Sequence, residues 1–394
     1  MTERPAPGEA PATTFSPIDG EPQLRWWRRL RIVPARELGA GRRAVLVALF
    51  AWLPIALWAL ATGRLARAEG AEPLLQHYGV HVRFLLAIGL FILAEPALHR
   101  ACVTLSRRFV ASGAVTPELL PRFEAVNRSM RRLADASLPW VLAVGVAVAW
   151  SLADPPARGD DALSWAVGAD GGIGFGGLWA AYVARPIFLA LLAGWLWRIG
   201  LVALWLWRID RLGLALVPSH PDRTGGIGFV EKLPGAFALV TFALAAVLAS
   251  RWAHEAVHHG TPLVSFRMAA IAFAATWTLL LLLPLLAFAR SLRRAKRAAG
   301  AAYADLVGRQ GRLVHRRWIE RKAVDDEEQL EPTGIGAVAD AAVLYEAVTR
   351  MRSVPVGKSA LLGALAPIAI PFLLLALLRI PLKDLFLKVV HILV

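Results

Sequence analysis

One cysteine, four methionines and four tyrosines are all that this 394-residue chain holds of those residue types. With Cys102 alone, no intrachain disulfide can form. Charge is scarce too: 19% of residues are charged and 57% hydrophobic, with a mean hydropathy of +0.52. That mixture excludes a disordered chain and an ordinary soluble domain, about a quarter of which is charged. It points instead to a multi-spanning membrane protein. Of the two signs, the acidic one is the rarer. Lys and Arg outnumber Asp and Glu by 44 to 29, a net charge of +15. Such an excess suits either a nucleic-acid binder or a membrane protein with basic cytoplasmic loops.

Where the charges fall decides between the two. Apolar stretches able to cross about 30 Å of hydrocarbon as helices run approximately over Ala44–Thr62, Phe84–Leu98, Leu138–Leu152, Phe188–Trp207, Leu233–Ser250, Met268–Ala289 and Ala360–Leu378. The third is short. The fourth extends to about 30 residues if it starts near Leu178, with a kink at Pro186. The loops on the N-terminal side of these seven spans hold 33 Lys and Arg, and those on the other side hold 9. The positive-inside rule then predicts a cytoplasmic N-terminus and an external C-terminus. The loop after the third span, with Asp154, Asp160, Asp161 and Asp170, fits the outside. The basic residues form no nucleic-acid reading motif, so the expected partner is the lipid bilayer and not nucleic acid. No sequence feature specifies an oligomeric state.

The expected fold is therefore all-α, a bundle of about seven transmembrane helices with a small cytoplasmic helical segment. Residues 1–43 read as a cytoplasmic arm without a cleavable signal, disordered over the first 20. Its run Arg25-Trp26-Trp27-Arg28-Arg29 has the character of an interfacial anchor. The fifteen tryptophans also read as interface markers. Among them, Trp195-Leu-Trp-Arg-Ile is echoed by Trp205-Leu-Trp-Arg-Ile. If the second copy marks the cytoplasmic interface, a rise of about 15 Å places Arg198 near the midplane. Residues 44–289 then form six spans and 290–358 a cytoplasmic helical hairpin, in which Val338, Ala341, Ala342, Tyr345 and Val348 recur at helical spacing. Residues 359–394 supply the seventh span and an outer amphipathic helix from Arg379 to Val394.

Several stretches resemble a family of uncharacterised bacterial multi-spanning inner-membrane proteins. They are Ala51-Trp-Leu-Pro-Ile-Ala-Leu, His81-Val-Arg-Phe-Leu-Leu-Ala, Ile92-Leu-Ala-Glu-Pro, and Leu216-Val-Pro-Ser-His-Pro-Asp-Arg-Thr-Gly-Gly-Ile-Gly-Phe. Tyr345-Glu-Ala-Val-Thr-Arg-Met-Arg-Ser-Val-Pro completes the set. The likeness covers roughly residues 25–390, and its most specific element is His-Pro-Asp-Arg-x-Gly-Gly-x-Gly-Phe. It implies a bacterial inner-membrane location and supplies no catalytic residues.

Three constellations carry chemistry. Glu95 and Arg198 are ionisable residues inside apolar spans, at matched depth; an isolated charge there costs about 3 kcal/mol or more, so the two are expected to meet. The pair reads either as a structural ion pair or as part of a transport- or channel-like pathway. The loop around His220, Asp222, Arg223, Gly225, Gly226 and Gly228 is either a rigid capped turn or a seat for an anionic lipid headgroup. It lacks the Gly-Lys-Ser/Thr ending of a phosphate-binding Walker loop. His254-Glu255-Ala-Val-His258 matches the HExxH pattern, in which two histidines one turn apart hold zinc and the glutamate activates water. No third ligand stands at a recognisable spacing, so the expected role is a polar cap, with zinc as the only candidate cofactor. The leading functional expectation is a non-enzymatic membrane protein with transport-like use of Glu95 and Arg198. A scaffold or sensor binding a cytoplasmic partner or anionic lipid, and a zinc metalloprotease, are the alternatives.

Overall fold

The structure, a computed structural model, describes residues 13–31, 33, 38–66, 72–154, 165–167, 172–322 and 334–377. Among them the regular structure is helical, without β-strands. Seven helices are long and apolar enough to cross a membrane. The chain is thus an all-α polytopic membrane protein. A short helix α1 (Pro22–Arg29) precedes the first span, α2 (Ala40–Ala61), and the second, α3 (Tyr78–Ala111). The third, Leu120–Ala153, is divided at Asp135–Ser137 into α4 (Leu120–Ala134) and α5 (Leu138–Ala153). Then come α6 (Phe175–Asp210), α7 (Gly228–His258) and α8 (Leu263–Ile319). α9 (Gly334–Thr349) packs along the far half of α8, and α10 (Lys358–Leu377) is the last span. The expected helix over Arg379–Val394 lies outside the described residues.

Prolines shape the long spans. Proline has no N–H to donate, and its ring crowds the carbonyl four residues back. Before Pro186, α6 widens into a π-helical segment over Ala180–Ala184, which relieves that crowding. This span accordingly begins at Phe175, three residues before the longer limit read from the sequence. α3 carries a π-helical segment at His81–Ala87 and a break at Ala94, two residues ahead of Pro96. The short third span gains its length from α4. Its apolar half, α5, lies against α6 and turns Val141, Val146 and Trp150 outward. That surface suits lipid, whose tails are as apolar as the side chains themselves.

α7 is the most enclosed span. Its Val240, Ala243 and Ala245 are fully buried, and small side chains let α10 approach closely. Below, the end of the bundle where α2 begins is called the basic end.

The arm departs from its expected disorder at residues 13–20. Phe15 and Ile18 are completely buried, as is Leu24 in α1. Burial of Phe15 and Ile18, each worth about 1.5–3 kcal/mol, offsets part of the cost of ordering the segment that carries them, and hydrogen bonds to the bundle add to it. The tryptophans also depart from expectation: Trp165, Trp195 and Trp205 are fully buried core residues, while Trp26 in α1 is exposed.

Candidate functional site

At the basic end, four charged side chains meet with almost no exposure to solvent. Arg198 donates from Nε to Glu21 Oε1 at 2.7 Å and from Nη2 to Glu21 Oε2 at 2.6 Å, a two-pronged contact. The same Nη2 reaches Glu95 Oε1 at 2.9 Å. Arg43 donates to Glu95 Oε2 at 2.6 Å. Gln23 donates to Glu21 at 2.8 Å. The expected meeting of Glu95 and Arg198 is therefore present, within a neutral set of two arginines and two glutamates. Trp195 and Trp140 flank the guanidinium of Arg198, with ring centroids 4.7 and 5.6 Å away. Gly194 makes this possible, because a Cβ there would collide with the Trp140 ring. Arg198 Nη1 and Arg43 Nε are buried without hydrogen-bond partners.

The helices explain the placement. Arg198 lies about 35 Å along α6 from Phe175 by helical rise, and Arg43 is in the first turn of α2. The cluster therefore sits level with the basic end of the apolar run of α2, and not at the midplane expected from taking the Trp205 copy as the interface. Near the break of α3, the Phe91 carbonyl accepts from Trp195 Nε1 at 3.1 Å, tying α3 to α6 beside Glu95.

Glu21 belongs to a strand threaded between α3, α4 and α6. Its backbone is held by side chains of the bundle. Asn127 donates to the Thr13 carbonyl at 2.9 Å, and the Phe15 N–H donates to Ser106 at 3.1 Å. Ser16 bonds His99 Nδ1 at 2.9 Å. Phe15 packs on Trp205 with centroids 5.0 Å apart, and Trp205 Nε1 donates to Asn127 at 2.9 Å. Ser106, His99, Asn127 and Arg198 are thus the side chains that hold residues 13–21 against the bundle. Sequence reading missed Glu21 and Arg43: one fell in the arm, the other at the boundary of a span, where arginine is ordinary. Pro22 after Glu21, a favoured first helical residue, was the available signal of local order.

The signature loop is a knot tied by one carboxylate. Asp222 Oδ1 accepts from the Thr224 N–H at 2.8 Å and the Gly226 N–H at 3.1 Å, and Oδ2 accepts from the Gly228 N–H at 2.8 Å. His220 Nδ1 lies 3.0 Å from Oδ1. Burial works against the charge, but these backbone donors prevail and hold the Asp222 pKa below the ordinary value of 3.8. Gly225 and Gly226 take φ of +67° and +90°, and a Cβ on Gly228 would press on Thr224 and Asp222. Arg223 also has a positive φ, +59°. Its side chain is exposed. The arginine that engages the loop is Arg352, which donates from its N–H to the Arg223 carbonyl at 2.7 Å and from Nη2 to the Asp222 carbonyl at 3.2 Å. It also pairs with Glu231 at 2.5 Å.

At the opposite end, His254 and His258 occupy the last two turns of α7, with rings 4.6 Å apart. The loop after α2 brings Glu72 and His77 against them. One ligand atom each from Glu72, His77 and His254 lie within 4.8 Å of one another. His258 Nδ1 is 3.0 Å from Glu72 Oε1. The missing third ligand of the sequence reading is therefore supplied from about 180 residues away, where no spacing rule applies. Glu255 is not among these grouped ligand atoms.

Seven apolar spans with ionisable side chains clustered inside define a polytopic integral membrane protein. No protein-family model, curated protein or solved structure matches the chain.

Proposed function

We propose that this is a bacterial inner-membrane protein of transport type that binds a small carboxylate at Arg43, Glu95 and Arg198. One observation carries the reading: the Glu21 carboxylate, on a strand laid into the bundle, grips Arg198 through two parallel contacts. A forked guanidinium–carboxylate contact is the arrangement arginine uses to recognise anions. Without Glu21 the remaining three charges sum to +1 in a buried site, which demands an anion because an uncompensated buried charge is costly. On this reading the N-terminal strand competes with the ligand for one seat. The break of α3 at Ala94, next to Glu95, suits a site whose walls move. The inner-membrane location and cytoplasmic N-terminus rest on the family resemblance and the 33-to-9 charge asymmetry.

Proteoliposomes test this. Protein lacking residues 1–21, and full-length Glu21→Gln, should take up or bind labelled mono- and dicarboxylates at least about tenfold better than the intact chain, since displacing an internal competitor removes its share of the apparent affinity. Arg198→Met should abolish the gain. Equal, negligible binding by the intact and shortened proteins would overturn the reading and favour a scaffold. The arm formed by α9 against the far half of α8 supports that second reading. Val343 and Leu344 of α9 are exposed apolar residues on it.

A further inference from the structure

We propose that Glu72, His77, His254 and His258 form a binding site for a zinc-type divalent cation that staples the loop after α2 to the end of α7. Three imidazoles and one carboxylate are a donor set that suits zinc and, by the affinity order of first-row metals, also accepts cobalt, nickel and copper.

The spacing fits. Tetrahedral ligands 2.0–2.1 Å from zinc stand about 3.4 Å from one another. Glu72 Oε2 is 3.5 Å from His77 Nε2 and 3.5 Å from His254 Nε2. His258 stands outside that group, one turn later on the same helix face, with Nδ1 3.0 Å from Glu72 Oε1.

A second observation is independent of spacing. Both ring nitrogens of His254, Nε2 of His258 and Oε2 of Glu72 are buried with no hydrogen-bond partner. Each such group carries a desolvation cost of about 1–3 kcal/mol if nothing satisfies it. A hydrogen-bonded polar cap would pair these atoms with one another, yet Nε2 of His254 and Oε2 of Glu72 approach without bonding. A cation answers one nitrogen of each histidine together with Glu72 Oε2, because a metal accepts a lone pair from neutral imidazole and from carboxylate alike; the second ring nitrogen of His254 carries the N–H.

The site differs from the HExxH reading of the sequence. Its carboxylate is Glu72, a ligand-range group, and Glu255 is left over. Glu72, His77 and His254 bring one ligand atom each within 4.8 Å of one another; with His258 turned in as the fourth ligand, the site is a closed, structural one, in contrast to a hydrolytic one that keeps a position for water.

Tag-free protein, stripped with chelator and returned to detergent, is titrated with zinc by calorimetry. The expected result is one zinc per chain in the micromolar range or tighter, a raised melting temperature, and tetrahedral visible bands on cobalt substitution. Glu72→Gln and His254→Gln should each weaken zinc at least about 100-fold, beyond the 10–100-fold typical of outer supporting groups. Glu255→Gln should leave the affinity within about threefold, the scatter of a residue outside the site. If either ligand variant fails to elute as a monodisperse species, His258→Gln carries the same test. Absence of zinc binding by the wild-type protein, or unchanged binding by Glu72→Gln, would overturn the proposal. Zinc-dependent peptide hydrolysis that is lost in Glu255→Gln while zinc stays bound would overturn it in favour of an HExxH centre.

Discussion

At the basic end of the bundle, Arg43, Glu95, Arg198 and Glu21 balance to zero, and both carboxylates are held by arginine at 2.6–2.9 Å. At the other end, Glu72, His254 and His258 leave four buried nitrogen and oxygen atoms without a hydrogen bond. Both clusters join parts of the chain that are distant in sequence. The first is closed by an anion that the protein itself provides, and in the second no Lys or Arg among the described residues pairs with Glu72, which meets only histidines. The comparison teaches that burial alone does not tell how a polar cluster is stabilised; the balance of donors, acceptors and charge does.

The largest effect should come from unbalancing the first cluster. Arg198→Met leaves the buried Glu21 without its cation, and should cost about 3–5 kcal/mol of stability. Arg198→Met combined with Glu21→Gln keeps the Arg43–Glu95 pair and should recover much of that loss. Thermal unfolding in detergent reads both, and equal losses in the single and double variants would show that the four groups do not act as a charge-balanced set. The second cluster should respond in the opposite sense. Adding zinc at about 100 times its dissociation constant should stabilise the wild-type protein by about 2.7 kcal/mol and leave Glu72→Gln unmoved.

A smaller effect is expected at the signature loop, where a single carboxylate satisfies three backbone donors. Asp222→Asn should cost about 1–3 kcal/mol at neutral pH, because at least one buried N–H loses its acceptor. The Asp222 pKa is lowered in the folded protein, so its contribution is present above 3.8 and is lost as pH falls through the lowered value. The gap between wild type and Asp222→Asn should therefore close only in acid below 3.8. Gly228→Ala should cost about 1–2 kcal/mol through collision with that carboxylate, and a wild-type melting curve would show the loop tolerating a Cβ. The smallest change is expected for Arg223→Ala. Its exposed side chain should matter by no more than about 0.5 kcal/mol, and a change in anionic-lipid binding in flotation assays would revive the headgroup role for this loop.

The helical class and the number of spans were legible because each depends on a local quantity, the run of apolar residues against the thickness of hydrocarbon. The meeting of Glu95 with Arg198 was legible for a related reason. A charge in an apolar span needs a partner, and few candidates existed. The order of Asp222 and its glycines was open to reading as well, since an Asx turn binds backbone donors a few residues ahead.

Glu21, Arg43, Glu72 and His77 were not legible as site residues. Each lies in an arm, at a span boundary or in a loop, where a charged or imidazole side chain is unremarkable by composition. What the sequence by itself determined is which segments enter the membrane, because transfer from water to hydrocarbon is nearly additive along the chain. What only the tertiary structure decided is which polar groups face one another. That depends on how α2, α3, α6 and α7 lie side by side and where the strand before α1 is threaded. Contacts such as Arg198–Glu21 and His254–Glu72 span about 180 residues, and their energy exists only once both ends have been brought together in a medium that excludes water.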